Sequence, residues 1–354
     1  MKASTLLTAL LVPFAAAAPS PRATKCTTSN AVQRKEWGSM SNSEKLSYID
    51  GVKCLMKQPS KFKKGLVPAS TSWFSDFAGV HVNLTTSIHI SGIFLSWHRH
   101  FLYLMEEALH DKCNYPKTLG LPYWDWTKYP TLETSPLFNG GPYSLGGNGL
   151  YEDTGPYIVG VGQELPHGSG GGCVTTGPFA NTTVNFGPFN FNLVFTGLPA
   201  TWNIANPRCM NRDLNNYGIK TYDNQTLINE MLAATTIKDV QILMNSKNVG
   251  TTDRGLHGGG HYGVGGVMFD FFASPQDPAF FLHHGQIDRI WAQWQAANPK
   301  VRRYQYNGTS TIFNTNATPE VSNCTIMDFG VLGSPQNLRD VADPMSGLYC
   351  YRYV

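Results

Sequence analysis

Residues 256–261 read Leu256-His-Gly-Gly-Gly-His261, and the stretch admits two incompatible chemistries. A His-Gly-Gly-Gly run can form the oxyanion loop of an esterase, but that reading needs a Gly-x-Ser-x-Gly nucleophile elbow, and the 354-residue sequence contains none. Alternatively, His257 and His261 stand four apart, so on a helix they share one face and can meet the same ion. Three glycines make a poor helix in isolation. They also strip side chains from beside the ligands, which would leave room for a substrate and makes Gly258 a candidate pocket residue.

The second reading requires further ligands, and ten histidines are available, at 81, 89, 98, 100, 110, 167, 257, 261, 283 and 284. His284 falls in an apolar stretch of helical period, with Asp288 one turn later on the same face. A carboxylate there can fix an imidazole tautomer or hold the scaffold, directly or through an intermediary. His283 points about a quarter-turn away and belongs behind the ligands. Upstream, His89 and His98 bracket an eight-residue apolar segment, with His98 at an expected helix start, and His81 precedes His89 by eight. Two trios of imidazoles without a carboxylate or thiolate at matching spacing describe two ions held by neutral nitrogens, which suits copper, zinc or nickel. Zinc hydrolases place a Glu after the first helical His, where this chain has Gly258. Copper is favoured, because an all-imidazole pair can cycle between Cu(I) and Cu(II) with dioxygen as co-substrate.

Periodicity supplies a scaffold. Ser41-Asn-Ser-Glu44 has the form of a capping box before Leu46, Ile49, Val52 and Leu55, with Pro59 as a stop. Further helices are expected over about Trp97–His110, within Thr226–Met244, and over about Pro278–Ala297, where Ile287, Ile290, Trp291 and Trp294 form the buried stripe. Four helices suggest a mainly α fold: a four-helix bundle holding a dinuclear site, surrounded by long irregular loops and few short strands. Residues 129–200 are dense in Gly, Pro, Asn and Ser and form such loops. No composition break or fixed-period repeat divides the chain, so residues 19–354 are expected to be a single domain.

Residues 1–18 combine Lys2, a short apolar run from Leu6 to Phe14 and four alanines before Pro19, the pattern of a secretory signal peptide. No later run is long enough for a transmembrane helix, so a secreted, extracellular product is expected. Secretion favours disulfides. The seven cysteines (26, 54, 113, 173, 209, 324 and 350) allow three bridges with one left over, their pairing open. Six N-glycosylation sequons begin at Asn83, Asn181, Asn224, Asn307, Asn316 and Asn323; Asn83, two residues from His81, is expected to face the site rather than carry a glycan. A net charge of +3 with 14% charged residues offers no field for nucleic acid or an acidic membrane.

Two stretches make the reading specific. Phe94-Leu-Ser-Trp-His-Arg-His-Phe101, together with Ser274-Pro-Gln-Asp-Pro-Ala-Phe-Phe-Leu-His-His284 and Ile287-Asp-Arg-Ile-Trp291, resembles the paired copper signatures of the tyrosinase and polyphenol oxidase family, over most of residues 70–295. The resemblance implies His81, His89 and His98 on one copper ion and His257, His261 and His284 on the other, with Phe280 packed against a ligand ring. It also implies an apolar helix bundle and a tyrosine motif matching Tyr349-Cys-Tyr351. The chain departs from family members in three places. Ser87 stands where many fungal relatives carry a cross-linking Cys. Gly258 stands where many bacterial monophenol hydroxylases place Asn, and residues 245–256 contain no Glu to hold a water. The chain stops three residues after Tyr351, so no C-terminal lid domain is expected. Tyr262, after the second ligand of its trio, could stack on a phenol or narrow the entrance, or simply pack in a loop. The implied activity is oxidation of o-diphenols to o-quinones by dioxygen, with o-aminophenols and monophenol hydroxylation open. Small phenols are the expected partners, and a monomer is compatible with the sequence. The alternatives are a haemocyanin-like oxygen carrier and a zinc hydrolase.

Overall fold

The computed structural model describes residues 25–159, 162–247 and 251–354; the expected signal peptide lies outside the described residues. Strand β1 (Val32–Arg34) pairs in parallel with β2 (Tyr351–Tyr353), joining the two ends of the described chain. The Cys26–Cys350 disulfide closes the same junction. Helix α1 (Asn42–Leu55) starts at the expected capping box: Ser41 Oγ accepts from the Glu44 N–H, and the Glu44 carboxylate accepts from the Ser41 N–H. Its buried stripe runs through Lys45, Tyr48, Ile49, Val52 and Leu55. Leu46 is 39% exposed, because its position falls about a third of a turn from the centre of that stripe.

The bundle that carries the histidines consists of α2 (Trp73–Ile88), α3 (Phe94–Lys112), α7 (Gly255–Val264) and α8 (Ala279–Ala297). Between α3 and α7 lie α4 (Asn216–Tyr222), α5 (Gln225–Ala233) and α6 (Ile237–Asn245). Two of the four helices expected from periodicity are therefore not bundle members. The helix expected within Thr226–Met244 is two helices, α5 and α6, broken where Thr236 turns extended and accepts from the Asp239 N–H to cap α6. In its place α2 enters the bundle. Its Val80, Val82, Thr85 and Ile88 are β-branched and weaken the local helix signal. Packing overrides that preference: Phe77 of α2 meets Phe101 of α3 at 5.2 Å and Phe281 of α8 at 5.7 Å between ring centroids. This aromatic floor fixes the three helices beneath the histidines.

Two disulfides besides Cys26–Cys350 form, Cys54–Cys113 between the C-terminal ends of α1 and α3 and Cys173–Cys209 across the long loops; Cys324 is free and exposed. Among the described residues, strands occur only as two-stranded pieces, such as Gly149–Tyr151 with Gly171–Val174. No helix among them is long and apolar enough to cross a membrane.

Asp288 on α8 organises the back of the bundle. It accepts from Arg99 Nε of α3 at 2.6 Å and from the hydroxyls of Tyr351 and Tyr353 at 2.6 Å each, with Arg34 Nη1 at 3.5 Å. Burial opposes the charge on Asp288, but the two guanidiniums and two hydroxyls hold its pKa below the usual carboxylate value. The carboxylate reaches no histidine directly and works through this scaffold, tying α8, α3, β1 and β2 together. Tyr349 of the same terminal motif donates to or accepts from His100 Nδ1 at 2.7 Å.

Candidate metal centre

His81 lies in α2, His89 caps its C-terminus, and His98 lies in the second turn of α3 rather than at its start. The extra turn is needed: the Phe94 carbonyl, four residues back, meets His98 Nδ1 at 2.9 Å. The same device recurs. His89 Nδ1 lies 3.0 Å from the Thr85 carbonyl, His81 Nδ1 2.6 Å from that of Phe272, and His261 Nδ1 2.7 Å from that of Met268. A carbonyl only accepts, so in each ring Nδ1 carries the proton and Nε2 is left with a lone pair for a metal.

Those lone pairs converge. His81, His89 and His98 form one group whose ligand atoms lie within 4.8 Å of one another, and His257, His261 and His284 belong to a second. In the second group His261 Nε2 stands 3.1 Å from His257 Nε2 and 3.2 Å from His284 Nε2. Metal–imidazole bonds of roughly 2.0–2.1 Å in tetrahedral arrangement separate the nitrogens by roughly 3.3 Å. The Nε2 atoms of His81 and His98 are buried without a hydrogen-bond partner, which fits a role as metal ligands. The two groups adjoin, since the His98 and His284 rings stack at 4.4 Å and 13°. Burial, reinforced for several rings by neighbouring imidazoles, pushes all six pKa values down, His89 to about 3 and His261 to about 4. All six are therefore neutral at neutral pH, the form that binds a metal.

His283 is close enough to join the second group, but its Nε2 donates to the His257 carbonyl at 2.9 Å and its Nδ1 edge is packed against Gly260 of α7. It buttresses the ligand helix from behind, as its direction on α8 predicts. Phe280 stacks on His284 at 4.1 Å and 28° and meets His81 edge-on at 5.3 Å, so it touches a ligand of each ion.

Two of the three consecutive glycines of α7, Gly259 and Gly260, serve a purpose other than leaving room for a substrate. A side-chain carbon on Gly260 would overlap the His283 ring, and one on Gly259 would overlap Tyr222 and stand 2.7 Å from Asp223 Oδ1. Gly259 and Gly260 thus let α4 and α8 approach α7. Gly258 faces only the Arg254 stem, at 3.2 Å. Asp223, brought against this glycine face, is buried with neither carboxylate oxygen hydrogen-bonded, and burial raises its pKa well above the ordinary value.

Two expectations are corrected. Tyr262 does not reach the histidines to stack on a substrate: it is fully buried among Tyr157, Tyr222 and Phe269, and its hydroxyl donates to the Pro166 carbonyl at 2.5 Å. Being next to a ligand on a helix turns its side chain about 100° away. Asn83, two residues and about 200° from His81 along α2, does not face the site and lies exposed.

Sequence reasoning also missed the segment 266–272, which carries no motif of its own. Its Met268 carbonyl orients His261 of one group and its Phe272 carbonyl orients His81 of the other. Asp270 holds it in shape by accepting from the N–H groups of Phe189, Phe272 and Ala273 at 2.8, 2.9 and 2.9 Å. Backbone carbonyls leave no residue-type signature, so only Asp270 could have signalled the role.

Comparison with known proteins agrees with this geometry. The family model described as the common central domain of tyrosinase matches residues 71–297, spanning all six histidines. The chain belongs to the tyrosinase family. Among tyrosinase relatives, Tyrosinase P of Aspergillus terreus is 44% identical over 326 residues, covering 90% of this chain and 91% of the relative. An N-acetyl-6-hydroxytryptophan oxidase of Emericella nidulans is 40% identical over 345 residues, covering 93% and 94%. A solved polyphenol oxidase from Thermothelomyces thermophila superposes with a TM-score of 0.86 at 38% identity, covering 93% of this chain and 90% of that one. Tyrosinase-family proteins are dicopper oxidoreductases that use dioxygen, and the two histidine groups here fit two copper ions.

Proposed function

We propose that the chain is an exported polyphenol oxidase that converts o-diphenols, and o-aminophenols of the same shape, to the corresponding o-quinones or quinone imines. Two o-diphenols lose two electrons and two protons each, and one dioxygen is reduced to two waters. The observation that carries this reading is the pair of adjoining all-imidazole triads, with no carboxylate or thiolate among the ligands. When bound, copper supplies the redox couple for the electrons. Backbone carbonyls hold four of the six neutral imidazoles, those of His81, His89, His98 and His261, and the rings of Phe94, 4.6 Å from His257 and 4.9 Å from His98, and of Phe280 keep water from the ligands. One relative is named for the oxidation of N-acetyl-6-hydroxytryptophan, a ring with a single hydroxyl, which supports hydroxylated aromatic rings as the broader substrate class. Export rests on the signal-like residues 1–18 and is supported by three disulfides.

Monophenol hydroxylation needs a group that takes the phenolic proton before the ring reaches copper. Gly258 offers no side chain for this, and the buried Asp223 lies on the far face of α7, against Gly259. Oxygen uptake by copper-loaded protein is therefore expected with 4-methylcatechol and not with p-cresol. Uptake with both would make the chain a monophenol hydroxylase, and uptake with neither would leave an oxygen carrier.

A further inference from the structure

Beside His89 the wall of the metal centre continues outward as a line of phenylalanines. The Phe271 ring lies 4.6 Å from that of His89; Phe191 meets Phe271 edge-on at 5.0 Å and 76°. Phe195 follows at 6.2 Å from Phe191, and Phe313 stacks on Phe195 at 5.5 Å and 7°. Exposure rises along the line: His89 is buried, Phe271 and Phe191 are half-buried, and Phe195 is 67% exposed. Three separate segments supply these rings: the brace 266–272, the region around the helical turn Leu193–Thr196, and the turn Ile312–Asn314. Convergence of three loops on one apolar strip is not a by-product of a single helix face.

Backbone conformation singles out the same region. Ile90, directly after ligand His89, has φ +48°, and Phe313 has φ +61°. A β-branched or bulky residue in the left-handed region is an outlier, and such residues persist where the surrounding structure over-determines them, often at ligand clamps. Ile90, Phe191, Phe271 and Phe313 all pack against one small core cluster apart from the main one. An exposed aromatic strip continuous with a metal centre marks a binding surface, and its continuity with His89 identifies what would lie on it: part of the molecule whose phenol sits at the metals.

We propose that this strip is a subsite for an uncharged aromatic substituent on the substrate, so that the chain selects o-diphenols bearing a second ring over bare catechols. The proposal rests on the phenol-oxidase reading above. Phe195, the most exposed of the four rings, contributes ring contact to the tail and none to the reacting ring.

The test compares 4-phenylcatechol with 4-methylcatechol on the copper-loaded full chain, in wild type and in Phe195→Ser and Phe313→Ser. Anaerobic titration calorimetry gives binding, and oxygen uptake in air gives kcat and KM. Loss of one ring–ring contact weakens binding by about three- to tenfold. Each variant is expected to show that loss, as a raised Kd and KM for 4-phenylcatechol, with kcat and all constants for 4-methylcatechol within about twofold of wild type. The unchanged 4-methylcatechol values also show that the variants fold. Equal losses for both substrates, or none for either, would overturn the proposal. If the selective loss appears in the anaerobic binding while neither diphenol is oxidised in air, the subsite stands and the phenol-oxidase reading falls.

Discussion

Three adjacent glycines of α7 provide a sharp test of why this helix tolerates so poor a sequence. Replacing Gly with Ala in a helix interior gains about 0.8–1.0 kcal/mol when nothing is in the way. At Gly258 the added carbon would meet only Arg254 Cβ at 3.2 Å and Cδ at 3.9 Å, so Gly258→Ala is expected to stabilise the metal-free protein by about 0–1 kcal/mol. At Gly260 it would overlap Cε1 and Nδ1 of His283, a fully buried ring. That ring can retreat only by breaking its bond to the His257 carbonyl. Overpacking costs about 1–3 kcal/mol and the lost hydrogen bond about 1 kcal/mol. Subtracting the helix gain leaves a net cost of about 1–3 kcal/mol. Because His257 and His284 ride on the two helices forced apart, Gly260→Ala should also bind less copper than Gly258→Ala. Urea denaturation of the metal-free variants and copper content after dialysis would measure both effects. Equal stability changes at 258 and 260, or full copper loading of Gly260→Ala, would refute the claim that Gly260 lets α8 approach α7.

Other expectations follow from the same geometry. The six ligand imidazoles are depressed below the roughly 6.5 of free histidine, His89 to about 3 and His261 to about 4. The unfolded chain therefore takes up protons that the folded one refuses as pH falls from about 6.5 towards 4. The urea midpoint of the metal-free protein should be highest above that window and drop through it; the groups whose raised pKa acts in the opposite sense, Asp76, Asp223, Asp270 and His110, are outnumbered by the depressed histidines, which include His100 and His283. A midpoint unchanged between pH 7 and 5 would contradict the burial of neutral imidazoles. Asp270→Ala removes the acceptor that ties the segment orienting His81 and His261 to the N–H groups of Phe189, Phe272 and Ala273, and should weaken copper binding by about 10–100-fold, read by chelator competition. Asp288→Ala leaves the buried Arg99 guanidinium without its carboxylate, whereas Arg34 keeps Glu106 at 2.9 Å, and should destabilise the fold by about 3–5 kcal/mol; a loss under 1 kcal/mol in urea would show that Arg99 finds another partner.

Much of the centre was legible in the chain because ligand chemistry depends on residue type and local spacing. His257 and His261 share a helix face at a separation of four whatever surrounds them, and His81, His89, His98 and His284 stand out as neutral donors in apolar stretches. The capping box at Ser41 and the stripe of α8 are likewise short-range properties. Tertiary structure decided what depends on approach between distant segments. It made a helix of the β-branched α2, by burying Phe77 against α3 and α8. It turned Tyr262 into core and sent Asp288 to Arg99, Tyr351 and Tyr353 rather than to a histidine. It selected the carbonyls of Met268 and Phe272 to orient a ligand of each ion. A backbone carbonyl is the same in every residue, and a one-residue step along a helix turns a side chain by about 100°. Ligand identity can therefore be read along the chain, whereas the groups that orient the ligands depend on which strangers in sequence become neighbours in space.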